Sequence, residues 1–482
     1  MLQSKELKRS IDENLLNDYA KNDVALKEEI QKNSDFMSNF KSTNDDCDKP
    51  VPASVNQLTD QHKKFVTMCK QELSGDLPMD FNQWTLKEQY DHLISNTSKY
   101  FPNIPKSLRS ILPATFEDGD CGRPANERPD WLDMNKFYRG QQFASRYFCA
   151  ISMSNLISIP LSFSFADGLK PLILSQKSNT PYNAFKRYLS SIRRFRNWYT
   201  SDPWCEGTQA YHDIQVVRKL HRAMRQKLCS MSDDEIDLAS KMSYMKCPMF
   251  QTIAKDFADA CPLAKSRQCP FTMSRIKGLN QSDMFGTQFA CMGLIVLYPE
   301  QFGVYDASDE DLEAFCYLWR GLGYLLGIQD QYNFCRGSLQ DIRQRIEDCI
   351  EYWVKPNLRT VTAEWEHMTI CLYEGIAAIS SLSSYKVFLL YLCDIFKLKM
   401  PRLYSSLSFW ERIVYVLLKF QFLYLTKLPG VFPVMNAMFH KNLNRAANFG
   451  LKEHAKLKEK SSRNHPEIIP ECQAYLNHSI IK

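Results

Sequence analysis

Tyr211-His-Asp-Ile-Gln-Val-Val-Arg-Lys-Leu-His221-Arg-Ala-Met-Arg-Gln-Lys-Leu228 decides how this chain is read. Ile214, Val217, His221, Met224 and Leu228 recur at i, i+3, i+7, i+10 and i+14. On a helix of roughly 3.6 residues per turn those positions share one face. The spacing predicts a helix over 211–228 with His221 turned toward the core. A neutral imidazole there has two ring nitrogens to satisfy, by hydrogen bonds or by a metal. Periodicity alone leaves both readings open, a satisfied core histidine or a ligand.

The same period extends along the chain in both directions. The preceding segment, 182–199, places Arg187, Ser190, Ser191 and Arg194 together at i, i+3, i+4 and i+7. Trp204-Cys-Glu-Gly207 then reads as the loop between two helices. Further on, Phe285, Phe289, Met292 and Val296 make one apolar face. Ser308 precedes Asp311 by three residues, the start signal of a helix that continues through Leu312, Phe315, Leu318, Leu322 and Leu325. Within it lie Gly321, Gly323 and Gly327, with no strand before them, so they are not a dinucleotide loop. Their expected use is the close approach of another helix or of a flat ligand.

Composition agrees. The 482 residues include only 17 glycines, where average usage would give about 34. Such scarcity argues against a glycine-punctuated α/β enzyme or a turn-dense β-sandwich. A hydrophobic share of 44% excludes wholesale disorder. The net charge of +6 is too small to imply nucleic acid. It is also local, because residues 185–228 hold ten Lys/Arg and three Asp/Glu. Sixteen cysteines without a Cys-x-x-Cys read as reduced, buried small hydrophobes of an intracellular protein. The charged start, Met1 to Arg9, has no apolar core of a secretory signal.

The fold expected is all-α and multi-helical. Its parts are a charged N-terminal extension and proline-punctuated lead-in (1–130), a helical domain (131–400) and an amphipathic, membrane-associated C-terminal segment with a basic tail (401–482). Two stretches bear on membranes. Tyr147 to Ala166 has no charged residue, but five serines, Asn155 and Pro160 favour a buried helix over a span. Ile413 to Leu425 is interrupted by Lys419 and reads as an amphipathic helix lying on a membrane or on the domain.

Arginines sharpen the reading of His221. Arg218 and Arg225 stand at i−3 and i+4 from it, and Arg187 and Arg194 face it from the preceding helix. One histidine on an apolar face with converging guanidiniums suits haem b, whose iron takes an axial imidazole and whose propionates need cations. A solvated basic face is the alternative for each arginine taken singly.

Arg187-x-x-Ser190-Ser191 followed by Val217-Arg-Lys-Leu-His221-Arg-Ala-Met-Arg225 resembles the haem segment of the rubber oxygenase family. That family includes the latex clearing proteins and the ER-bound oxygenase MpaB. Phe137-Tyr-Arg139-Gly140, Gln281-Ser-Asp283 and Trp319 to Ile328 are similar to its other elements, so the resemblance covers about residues 133–335. It implies a globin-like haem b domain that activates O₂ to oxidise or cleave a hydrophobic, isoprenoid-like substrate. His221 would be the iron ligand. Arg187 and Ser191 would be catalytic, and Arg187, Arg194, Arg218 and Arg225 would hold the cofactor. Partners implied are O₂, a hydrophobic small molecule or lipid, and peripheral contact with a membrane such as the endoplasmic reticulum, with no nucleic acid. Two departures stand out. Ser190 and Ser191 replace the lysine and threonine of latex-cleaving members, and the loop over 167–180 holds Asp167 but no glutamate base. They motivate a second reading, a haem-binding sensor or carrier of the same fold, while a helical scaffold with a purely structural His221 is the third.

Overall fold

The computed structural model describes residues 59–242, 245–263, 277–379 and 384–464. The charged segment expected before residue 50 and the end of the basic tail lie outside them. Among the described residues the chain is all-α; its single pairing of β type is one bridge between Asp118 and Asn280.

Counting helices of seven or more residues, the order is α1 (Asp60–Glu72), α2 (Leu86–Ser95), α3 (Met134–Arg146), α4 (Phe148–Phe163), α5 (Ala166–Leu174), α6 (Pro181–Thr200), α7 (Gln209–Ser230), α8 (Asp233–Ala239) and α9 (Phe250–Ala260). Then come α10 (Gln281–Leu297), α11 (Asp309–Leu325), α12 (Leu339–Asp348), α13 (Ala363–Ile376), α14 (Tyr385–Ile395), α15 (Phe409–Leu423) and α16 (Val431–Ala447), followed by the helix Leu451–Asn464.

The lead-in differs from expectation. From Asp60 onward it is helical, and Phe65, Val66, Cys69, Phe81 and Leu93 are buried, so this segment adds to the core. Phe65, Val66, Cys69 and Leu73 recur at i, i+1, i+4 and i+8, a helical period that the reading of 1–130 as an extension and lead-in passed over.

Local signals set the site helices. Thr180 caps α6 by accepting from the Asn183 amide, with Pro181 at the first helical position where its missing N–H costs nothing. Thr208 caps α7 through the Tyr211 amide. Reciprocal caps start α10 (Asn280 with Asp283) and α11 (Ser308 with Asp311). Gly207, at φ +86°, turns the chain between α6 and α7.

The helices assemble in closely packed pairs: α3 on α11, α4 on α10 and α6 on α13. Helix α6 is the hub, since it also packs on α3, α7 and α16. Two glycines set the tightest crossings. A Cβ on Gly140 of α3 would stand 2.2 Å from the Ala314 carbonyl oxygen of α11. On Gly375 of α13 it would stand 2.7 Å from the Phe185 backbone nitrogen of α6. Gly321 and Gly323 play the helix-approach role expected of them, against the Phe137 ring and the Gln288 amide.

Helix α4, the charge-free stretch, is largely buried against α10. No single helix among the described residues is long and apolar enough to cross a membrane; α4 with α5 passes only as a pair bent by 105°. Among the described residues the cysteines are free thiols, most of them buried or half-buried.

Gly140→Ala should cost about 1–3 kcal/mol from overpacking, outweighing the roughly 1 kcal/mol that alanine gains in helix propensity. Gly286→Ala, where a Cβ has no heavy atom within 4 Å, should be neutral or stabilising by up to about 1 kcal/mol. Urea denaturation midpoints of the two variants check the contrast.

Candidate functional site

The face of α7 that periodicity assigned to the core is closed at its ends and open in its middle. Ile214 and Leu228 are fully buried, whereas Val217, His221 and Met224 are only half-buried. Leu228, with Leu174 and Ile236, closes the lower end, and Met224 packs on that cluster. His221 lies deep within the fold, and its side chain is still partly accessible.

The imidazole is unsatisfied. Its Nδ1 is buried without a hydrogen-bond partner, a state that costs about 1–3 kcal/mol. Its Nε2 makes no hydrogen bond and is not enclosed. Burial pushes the pKa down to about 4; the Arg187 guanidinium acts in the same direction and Asp120 opposes it. The ring is therefore neutral near pH 7, the form that coordinates metals.

His367 is the useful contrast. It is fully buried, its Nδ1 accepts from the Lys246 amide at 3.0 Å, and its Nε2 lies 2.9 Å from the Asn179 carbonyl. Beside it the buried Glu366 accepts from the Met249 amide and the Tyr385 hydroxyl. Both side chains tie the segment before α9 onto α13. His367 is thus a satisfied structural histidine, and His221 is not.

The arginines divide into two groups. Arg218 makes a bidentate pair with Asp120, at 2.8 and 2.5 Å, and Arg222 reaches the same carboxylate at 2.8 Å. Burial would raise the pKa of Asp120, but these guanidiniums and the Gly122 amide hold it below the usual value. Arg225 donates to the carbonyls of Lys277 and Gly278 and lies 3.5 Å from Asp118. Arg218 and Arg225, expected at propionates, therefore already have protein partners. The reason is angular: i−3 and i+4 fall about 60° and 40° from His221 around the helix, enough to send long side chains to neighbouring loops.

Arg187 and Arg194 are different. Arg187 donates to the Ser178 hydroxyl at 3.0 Å and has no carboxylate partner among the described residues. Arg194 is 3.7 Å from Asp213, a carboxylate already accepting from Asn197 and Gln209. Ser191 donates its hydroxyl to the Arg187 carbonyl at 3.1 Å, one turn back. Asp167, expected in a loop before α6, instead lies in the first turn of α5, where Lys170 one turn on binds it at 2.8 Å. The apolar faces of α10 and α11, expected to wall the site, are consumed by packing on α4 and α3. The half-open apolar surface is α7's own.

Sequence reasoning missed the 117–123 segment. Asp118 Oδ1 accepts from the Asp120 amide and Asp120 Oδ1 from the Gly122 amide, two successive Asx turns. A Cβ on Gly119 would stand 2.3 Å from the Leu279 carbonyl oxygen, and one on Gly327 (φ +97°) 2.7 Å from Asp120. Gln281 donates to the carbonyls of Asp118 and Gly327 and accepts from the Gln329 amide. The run Asp118-Gly-Asp-Cys-Gly122 was the signal: two Asx residues with glycines, read only as a lead-in.

Among the described residues no group of three or more His, Cys, Asp or Glu side chains is placed to hold a metal ion. A metal at His221 would have to bring most of its ligands with it.

Asp120→Asn should destabilise the protein by about 3–5 kcal/mol, because two guanidiniums lose their buried counter-charge. For His221 the folded pKa lies below the ordinary 6.5, so the unfolded chain binds the proton first. Stability from the neutral ring is complete above about pH 6.5 and declines as pH falls toward 4, by up to about 3 kcal/mol, trimmed by the ring's partial access to solvent. Comparing urea midpoints of wild type and His221→Gln at about pH 7 and about pH 4.5 isolates that slope.

A solved structure of the latex clearing protein LCP in the closed state is similar to this chain at a TM-score of 0.42 and 15% sequence identity, over 73% of this chain and 88% of that one. No family model and no curated protein matches the chain.

Proposed function

We propose that this chain binds haem b through His221 and oxidises a hydrophobic, isoprenoid-like molecule with O₂. The observation that carries the reading is the neutral imidazole of His221 with its buried Nδ1 unsatisfied, in contrast to His367, whose two ring nitrogens both have partners. The fit is of the right kind. A haem would need a single imidazole from the protein, and His221 is a neutral histidine with an unsatisfied nitrogen that would hold it.

Haem b, when bound, supplies an iron that takes up and activates O₂. The protein's own part is binding and orientation. Burial keeps His221 neutral and so able to offer a lone pair. Val217 and Met224 provide the apolar flank on either side of it. Arg187, held by Ser178 and free of a carboxylate among the described residues, is the cation best placed to balance propionate charge, with Arg194 next along α6. Arg218 and Arg225 hold the surrounding loops. The Ser191 hydroxyl, whose proton is engaged by the Arg187 carbonyl, retains lone pairs to accept a hydrogen bond from a bound group.

A second reading has its own support. With no glutamate over 167–180, most of which is helix α5, and with Asp167 occupied by Lys170, no free carboxylate stands ready there as a base. This favours a haem sensor or carrier over an efficient oxygenase.

Reconstitution with haemin decides the first question. Wild type and His212→Ala, altered at an exposed histidine of the same helix, should show a Soret band, and His221→Ala should lose it. A wild type without the band overturns the proposal. Aldehyde or ketone products from a polyprenyl lipid, formed by the ferrous protein in air, mark the oxygenase; their absence over many turnovers marks the sensor.

A further inference from the structure

Helix α15 is apolar on two faces, and only one is covered. Leu418 and Phe422 are buried toward α14 and the 299–305 segment, and Tyr415 and Lys419 both bind Asp394 at the end of α14. The opposite face carries Phe409 and Trp410, each 72% exposed, then Val416, Leu417, Phe420 and, just past the helix, Tyr424 at 61%. At about 100° per residue these six positions fall within an arc of about 120°. Beyond the turn at Pro429-Gly430, Val434 and Met438 of α16 add exposed apolar surface. A soluble surface scatters single exposed apolar residues; six on one face of a helix, with more on the helix that follows, mark an interaction site.

Charge identifies the partner. From residue 401 to 448 the sequence holds six Lys/Arg and one acid, Glu411, and that acid is ion-paired with Lys386. Arg412, Lys427, Lys441 and Arg445 are exposed and have no carboxylate partner among the described residues. Arg412 instead lies against the Tyr404 ring and Lys427 between Tyr305 and Tyr424. On α16, Val434, Met438, Lys441 and Arg445 follow one another at i, i+4, i+7 and i+11, so apolar surface passes into cationic surface along a single stripe. Aromatic rings beside apolar residues, rimmed by unpaired cations, are the composition of a helix lying in a bilayer interface. A second copy of the chain would bring the same cations against these, and they would repel.

We infer that the exposed faces of α15 and α16 form a docking surface for an anionic lipid bilayer, with the α15 stripe at acyl depth and the α16 cations at the headgroups. This stands apart from the haem reading, because it uses neither His221 nor any residue around it. It also supplies a reason for a lipid-dissolved substrate to be met at all.

Flotation of the full chain with vesicles tests it. The protein should rise with equimolar phosphatidylcholine–phosphatidylserine vesicles, bind phosphatidylcholine alone about tenfold more weakly or less, and lose binding as salt rises. Leu417→Glu with Phe420→Glu should reduce binding by about tenfold or more, and Lys441→Glu with Arg445→Glu should remove the preference for phosphatidylserine. All four positions are exposed, so an unchanged far-UV circular dichroism spectrum should accompany both losses. A wild type that stays with neither vesicle overturns the inference, as does a double glutamate variant that floats like wild type. A wild type that sediments as a dimer, ignores vesicles and becomes monomeric in the glutamate variant assigns the face to a second copy instead. The Soret band after haemin reconstitution should be the same in all these variants, so failure of one proposal is separable from failure of the other.

Discussion

The carboxylate of Asp120, closed on by Arg218 and Arg222, is the contact on which the geometry around His221 depends. Three charges taken partly out of water are stable only when each is met, and here the Asx turns of 118–122 hold the acid in place before the arginines arrive. The pair fixes α7 against the start of α10 and the end of α11, where Gln281 and Gly327 complete the clasp. It thereby sets the rotation of α7 about its own axis. That rotation decides whether His221 looks into the interior or into a neighbouring helix.

Helix α6 is held just as tightly from the other side, through backbone. Gly375 lets α13 approach until its Cα meets the first turn of α6, and Gly140 does the same between α3 and α11. Where backbones touch, side chains cannot repack to close a gap. Val217, His221 and Met224 stay half-buried on α7, and the unpartnered imidazole nitrogen among them is the group that a ligand would satisfy.

Much of this was legible from residues alone. The helices around 211–228, 182–199 and 308–325 follow from apolar period and caps, and the structure has them with shifts of a residue or two at the ends; the apolar face read over 285–296 belongs to a helix that starts four residues earlier, at Gln281. His221 was singled out correctly as deep. The roles of Arg218 and Arg225 were not legible, because a helical wheel gives the direction a residue leaves the helix and not the distance at which a long side chain finds its partner. The contribution of 60–116 to the core escaped notice for another reason: the helical period of Phe65, Val66, Cys69 and Leu73 is short and lies between a charged tail and a proline-rich stretch, which set the reading of the whole segment.

By itself the sequence determined the fold class and the helices around His221. Periodicity, capping residues and scarce glycine act through neighbours in the chain, and a helix needs no distant partner to announce itself. Only the tertiary structure decided that His367 is satisfied and His221 is not, which arginines are already spent and which side of α15 is left uncovered. Each of those is a question of what stands opposite a side chain. The answers came from Asp120, some hundred residues before the arginines it binds, from Asn179 and Lys246 around His367, and from Asp394 beneath α15.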